Sequence, residues 1–461
     1  MINDMTKGNP LSLIFWFSVP LLIGNIFQQL YNIADIVIVG RTLGIKALAA
    51  VGAISPIFFF IMFVVVGMTN GFAVITGQRF GAKDPDGVRR SVTVSTVISS
   101  FITVIFSLII AVFMNQILVW MNVPKEIHSD AFWYIQIVIA GLIICNAYNL
   151  LASIVRALGD SKTPLYFLIF ASVLNIFLAL LFILKFHWGV PGSAVAVVLS
   201  QAVSVLLCVI YVKKRFPILH LKKADWLFAL KKESIPFALE HLRVGIPMAV
   251  QFSILGIGIL IIQSVCNTFG SDVIAAFTAA LRIEQIATMP MISFGVALAA
   301  YTAQNFGANN FSRIRSGVQK TSLINISLSI IMTILIHFYG SDIVGIFLGK
   351  GEKHIIEIAR DYLWISTLFY FFLGQIFIFR NALQGMGEAT LPLASSIAEL
   401  LVRSFAAVYL AVKFSYFGIF YAGPIAWVTA SVILAAGYFT NLLRIVKKAR
   451  IAYNMQKRLI A

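Results

Sequence analysis

Residues 75–92 read ITGQRFGAKDPDGVRRSV, and residues 301–318 read YTAQNFGANNFSRIRSGV. Gln78 matches Gln304, Phe80-Gly81-Ala82 matches Phe306-Gly307-Ala308, and Arg89 matches Arg315, all at an offset of 226 residues. Ala49-Ala50 and Ala275-Ala276 keep the same offset. ALGDSKTPL (157–165) returns as GMGEATLPL (385–393), and Pro20 and Pro247 each fall in the first apolar run of a half. The chain is thus a duplication, and each half holds about six apolar segments of spanning length. Six is even, so both halves enter a bilayer with the same orientation. The repeats are parallel, related by an axis along the membrane normal. Two such lobes can enclose a cavity that opens first to one side and then to the other. Duplication alone also occurs in channels and membrane enzymes.

The composition agrees. The 461 residues are 60% hydrophobic and 11% charged, with mean hydropathy +0.94, whereas soluble domains carry roughly 25% charged residues. Spans are expected near 11–40, 47–78, 90–114, 131–155, 164–186, 190–212, 240–266, 272–305, 316–339, 354–383, 392–412 and 418–443. The expected fold is therefore an all-α integral membrane protein of twelve transmembrane helices in two six-helix lobes with pseudo-two-fold symmetry. The lobes are 1–212 and 238–461, and 213–237 is a cytoplasmic amphipathic linker. In the linker, Leu219, Leu221, Trp226 and Leu227 interleave with Lys222, Lys223, Lys231 and Lys232, a pattern suited to anionic headgroups.

The formal charge of +17 reflects topology. Alternate loops, including both termini, the 79–90 loop and the linker, carry roughly 24 Lys/Arg against roughly 7 in the opposite set. That places both termini in the cytoplasm of a multi-pass protein and argues against nucleic acid as a partner. Cys145, Cys208 and Cys266 all fall in spans and form neither a disulfide framework nor a metal site. No HExxH, GxSxG or Walker loop is present, and the six histidines are isolated. Neither an enzyme nor a nucleotide-driven pump is expected, and no cofactor or metal.

The candidate functional residues are the polar ones at membrane depth. In LSLIFWFSVPLLIGNIFQQLYNIADIVIVG (11–40) the sole ionisable acid is Asp35. A carboxylate there costs several kcal/mol unless it faces water or a partner. Asn25, Gln28 and Asn32 share its helical face. Pro20 lacks an amide proton and bends or hinges the helix. In the second half Gln251, Gln263 and Gln375 can line a cavity but cannot carry a proton. Glu284 follows Arg282 closely, and is either a cavity-lining site for cationic substrates or a partner of Arg282 or another helix. Glu399 and Arg403 stand at i, i+4 and can pair on one face, either as an internal ion pair that holds the lobe together or in a functional role.

Several stretches together resemble the multidrug and toxic compound extrusion (MATE) family of cation-coupled antiporters. They are Pro20 with IFQQLYNIADIVIVGRTLG (26–44), LAAVG (48–52), the Gln-x-x-Gly-Ala turns at 78–82 and 304–308, and RALGDSKTPL (156–165). The resemblance spans essentially the whole chain and belongs to a superfamily that includes lipid-linked oligosaccharide flippases. It implies a coupling-cation site formed by Asp35 and Asn175. The family pattern then has an acid where this chain has Ala179, and a threonine where it has Val197 in GSAVAVV (192–198). Sodium needs several oxygen ligands, whereas a proton needs one titratable group, so these departures favour proton coupling over sodium. The expected function is export of amphipathic, often cationic compounds through the cell membrane by a monomer. A flippase for a lipid-linked headgroup is the alternative. It would need a strongly basic cavity, for which Arg282 and Arg403 are the chief arginines at membrane depth.

Overall fold

The computed structural model of the chain describes residues 3–348 and 352–460. The side chains of the basic C-terminal tail from 445 onward lie outside the described residues. Among the described residues there are helices and turns but no strand. The first half contains α1 (Pro10–Leu43), α2 (Ile45–Gly81), α3 (Pro85–Trp120), α4 (Lys125–Ala140), α5 (Leu142–Ala157), α6 (Lys162–Leu180) and α7 (Gly189–Arg215). A short α8 (Lys223–Ala229) lies in the linker. The second half contains α9 (Ile235–Cys266), α10 (Ser271–Gly307), α11 (Phe311–Leu348), α12 (Lys353–Leu368), α13 (Tyr370–Gly385), α14 (Thr390–Phe414) and α15 (Tyr416–Ile460).

Nine helices among the described residues are long and apolar enough to cross a bilayer, and two bent pairs raise the number to eleven. The pairs are α4 with α5, bent by 49° at Gly141, and α12 with α13, bent by 53° at Phe369. The 25-residue α14 completes the twelve helical segments expected from the sequence.

The helix ends follow from local chemistry. The carboxylate of Asp84 accepts from the Gly87 amide at 2.8 Å ahead of α3, and Pro85 occupies a first-turn position where no amide proton is needed. Lys83 and Asn309, at the repeat-related turns, both have φ 57°, the left-handed conformation that ends a helix. Gly159 and Gly387 adopt φ 87° and 82° in the second pair of matched turns, which explains a glycine at both positions. Beside Gly159, Asp160 accepts from the Lys162 and Thr163 amides at 2.9 and 3.0 Å and from the Thr163 hydroxyl at 2.8 Å. Burial opposes the charge of this loop carboxyl, yet the hydrogen bonds it accepts, those from Thr163 among them, hold it below the ordinary range.

The chain forms two compact units. Unit 1 comprises Met1–Asp4 and Val19–Phe252; unit 2 comprises Met5–Ser18 and Ser253–Ala461. The linker thus belongs wholly to unit 1. There Arg89 Nε lies 3.5 Å from Asp225, the Arg90 guanidinium sits 4.6 Å over the Phe228 ring, and Arg79 pairs with Glu240 at 2.8 Å. These contacts fix α8 beside α3 while Trp226, Leu227 and Leu230 remain exposed. The first turns of α9 also pack within unit 1. A Cβ placed on Gly71 would lie 2.5 Å from the Cα of Gly245, so α2 and α9 meet backbone to backbone there. In unit 2, Arg313 donates to the Gly8 carbonyl at 2.9 Å, and Gln304 accepts from the Met5 amide at 2.8 Å. The segment before α1 is thereby tied to the α10–α11 turn.

Candidate functional site

Asp35 lies half-buried on α1, in unit 1. Its one hydrogen bond among the described residues comes from the hydroxyl of Ser193 on α7, at 3.4 Å. Tyr31, one turn earlier on α1, and Tyr134 on α4 both lie within range of its charge. No Lys or Arg among the described residues lies within ion-pair distance of it. Three residues further along α1, Ile38 packs on a cluster of Ala179, Phe182 and Ala196. This contact seats α1 on α6, on the π-helical turn that follows it (Leu181–Lys185) and on α7.

Asn175 on α6 is 1% exposed, and neither its amide nitrogen nor its carbonyl oxygen has a partner. Buried amides ordinarily find partners, because an unmet donor or acceptor costs about 1–3 kcal/mol. Asn175 is thus an orphaned buried amide in the same unit as Asp35. Ala179 and Val197 are 0% and 6% exposed, so the two positions implied to carry oxygens are apolar and enclosed. The oxygen that α7 supplies comes instead from Ser193, four residues before Val197 and within the same quoted GSAVAVV stretch. In the sequence Ser193 is marked only by its place on the Val197 face, one turn away.

The remaining polar candidates spread over both units. In unit 1, Asn25 and Asn32 are half-buried, Gln28 is exposed, and Gln251 and Pro20 are buried. In unit 2, Gln263 donates to Asn267 at 2.9 Å, and Gln375 accepts from the Ser322 hydroxyl at 2.5 Å. Glu399 pairs with Arg403 at 2.5 Å and with Arg380 on α13 at 3.2 Å. Arg380 also reaches the Ser396 hydroxyl at 3.3 Å. Glu284 accepts from the Tyr362 hydroxyl at 3.0 Å, while Arg282 is exposed.

Arg380 was not foreseen from the sequence, because FIFRNALQG gave no sign that its arginine would be turned inward. Arg156 in unit 1, the first residue of the RALGDSKTPL stretch, is half-buried and donates to Ser153 at 2.8 Å and Asn70 at 3.4 Å. Arg156, Arg380 and Arg403 are thus each engaged with polar partners. Among the described residues no group of His, Cys, Asp and Glu is placed to hold a metal.

A duplicated set of six spanning helices defines an integral membrane protein of two parallel repeats, an arrangement common among transporters. The chain belongs to the MatE family, whose profile matches residues 20–181 and 247–410, a family of multidrug efflux transporters. It is similar to the probable multidrug resistance protein YpnP of Bacillus subtilis (strain 168), with 29% identity over 394 residues, 83% of this chain and 84% of that one. It is also similar to the probable multidrug resistance protein NorM of Thermotoga maritima, with 24% identity over 412 residues, 87% and 86% of the two chains. A crystal structure of a MATE protein in complex with MaL6 superposes with TM-score 0.88 at 24% identity, over 96% of this chain and 99% of that one. A transporter of the MOP superfamily from Pyrococcus furiosus gives 0.86 at 24% identity, over 96% and 98%. At these identities the structural likeness establishes the fold.

Proposed function

We propose that this chain is a proton-coupled antiporter that exports amphipathic, mainly aromatic and monovalent cations from the cell. It acts as a monomer in the cell membrane with both termini cytoplasmic. The observation that carries the coupling assignment is that Asp35 makes a single hydrogen bond among the described residues. One serine hydroxyl holds it, and Ala179 and Val197 stand where further ligands would be needed. A sodium ion stripped of water requires several oxygens; a proton requires one.

The geometry suits a proton cycle. A hydroxyl donates to a carboxylate and accepts from a carboxylic acid, so Ser193 can serve Asp35 in both protonation states. Taking up a proton removes the cost of a charge at membrane depth; losing it restores that charge. Asn175 has an unpartnered donor and acceptor, and the resemblance implies that it shares the coupling site with Asp35. Proton uptake and substrate release are then linked through the preference of each form of Asp35 for one arrangement of unit 1. Cationic aromatic substrates are supported by the ring series Phe58, Phe59, Phe63 and Phe252, with neighbouring centroids 6.0–6.5 Å apart and Phe59 50% exposed. Ring faces attract cations.

The test is uptake of a fluorescent lipophilic cation into proteoliposomes, with proton and sodium gradients imposed separately. Transport driven by the proton gradient in sodium-free buffer is the expected result. Transport that requires sodium would overturn the assignment.

A further inference from the structure

The two broken spans mark repeat-related places. Gly141, where α4 passes into α5, and Phe369, where α12 passes into α13, are separated by the 228 residues that also relate 157–165 to 385–393. Interrupted helices at corresponding positions of two halves point to binding sites. Tyr134 precedes the first break, and Tyr362 precedes the second at the same offset. Tyr134 lies within range of the charge of Asp35. Tyr362 donates its hydroxyl to Glu284 at 3.0 Å.

The carboxylates themselves do not correspond. By the offset that pairs Pro20 with Pro247, the counterpart of Asp35 is Ile262; by the offset of Ala49 and Ala275, the counterpart of Glu284 is Phe58. The second half therefore has no acid at the position of Asp35 and carries one on the next helix, hydrogen-bonded to the repeat-related tyrosine. Both carboxylates are half-buried, and each is held by one hydroxyl, with no Lys or Arg at ion-pair distance among the described residues. Glu399 is the contrasting case: it is 5% exposed and neutralised by two arginines.

We propose that Glu284 is a second proton-carrying carboxylate, so that two protons enter for each substrate cation that leaves. The inference rests on the proton coupling proposed above. The proton binds a Glu284 carboxylate oxygen from the outer solution and leaves to the cytoplasm later in the cycle; no other bond forms or breaks. Tyr362 on α12 donates to Glu284, and Tyr370 on α13 and Arg403 on α14 lie within range of its charge. Arg403 is itself committed to Glu399, which leaves Glu284 free to change charge. Tyr362 is a positioning residue, because its hydroxyl can donate to the carboxylate or accept from the acid.

The experiment has two readouts on the full chain in proteoliposomes. The first is the pH-difference infrared spectrum in the protonated-carboxyl region, which needs no substrate. Glu284→Gln removes one titrating carboxyl, Asp35→Asn removes a different one, and Tyr362→Phe keeps the Glu284 band but shifts it. The second is accumulation of tetraphenylphosphonium against pH gradient. One pH unit contributes about tenfold per coupled proton, so the unmodified chain gives about hundredfold per unit and Glu284→Gln about tenfold. A Glu284→Gln spectrum that superposes on the unmodified one, or an unshifted band in Tyr362→Phe, overturns the proposal. So does an equal gradient dependence in the unmodified chain and Glu284→Gln. An Asp35→Asn variant that keeps the full dependence overturns the Asp35 assignment instead, and leaves that of Glu284 standing.

Discussion

Glu399→Gln tests how unit 2 tolerates charge in its interior. Glu399 is 5% exposed and Arg380 7%, and the carboxylate meets Arg380 at 3.2 Å and Arg403 at 2.5 Å. The amide keeps the shape but withdraws the one negative charge shared by two guanidinium groups. Breaking a buried pair in this way costs about 3–5 kcal/mol, because an uncompensated charge stays behind. For a unit of roughly 200 residues each kcal/mol lowers Tm by about 2–4 °C, so a fall on the order of 10 °C is expected. Arg403→Met should cost less, since Arg380–Glu399 survives. The triple variant Arg380→Met, Glu399→Leu, Arg403→Met should recover most of the loss, because an apolar replacement of a whole ion cluster is often neutral. The assay is thermal unfolding in detergent followed by size-exclusion fluorescence. A Glu399→Gln variant that melts within about 2 °C of the unmodified chain would refute the account of a charge-compensated core.

Other substitutions separate packing from function. Gly71→Ala should destabilise by about 1–3 kcal/mol, because its Cβ would meet the Gly245 backbone, which has no flexible end to move aside; thermal aggregation in detergent reads it. Asn175→Leu should leave Tm within about 2 °C of the unmodified chain, since no partner is lost, yet reduce proton-driven uptake at least about tenfold, a barrier rise of about 1.4 kcal/mol. For Asp160, whose carboxyl is held below its ordinary range, the contribution is present above the unfolded value near pH 4 and fades as pH falls through the folded one. The Tm difference between the unmodified chain and Asp160→Asn should accordingly be full at pH 6 and shrink toward pH 3.

Much of the fold was legible in the sequence because two periodic signals agree. Apolar runs set the number of spanning segments, and the matched turns at 78–82 and 304–308 show that the second half repeats the first. The breaks at Gly141 and Phe369 were not legible. They lie inside continuous apolar stretches, and only one of the two positions is a glycine. Asp35 stood out because a lone carboxylate in a long apolar run has few structural excuses. Ser193 did not, since a serine in a small-residue helix is ordinarily satisfied by its own backbone. Arg380 was hidden for a related reason: facing direction on a helix depends on neighbours that α10, α14 and α15 supply from far along the chain. The Glu284–Tyr362 bond required both the 228-residue offset and the three-dimensional course of α10.

The central claim is that Asp35 carries a coupling proton. The most direct measurement is proton-gradient-driven uptake of a fluorescent cation by the Asp35→Asn variant in sodium-free proteoliposomes, at matched incorporation with the unmodified chain. The account predicts that the variant still binds the cation but that loss of the Asp35 proton cuts gradient-driven accumulation about tenfold per unit of imposed pH difference. Accumulation equal to that of the unmodified chain across the same gradients would contradict it.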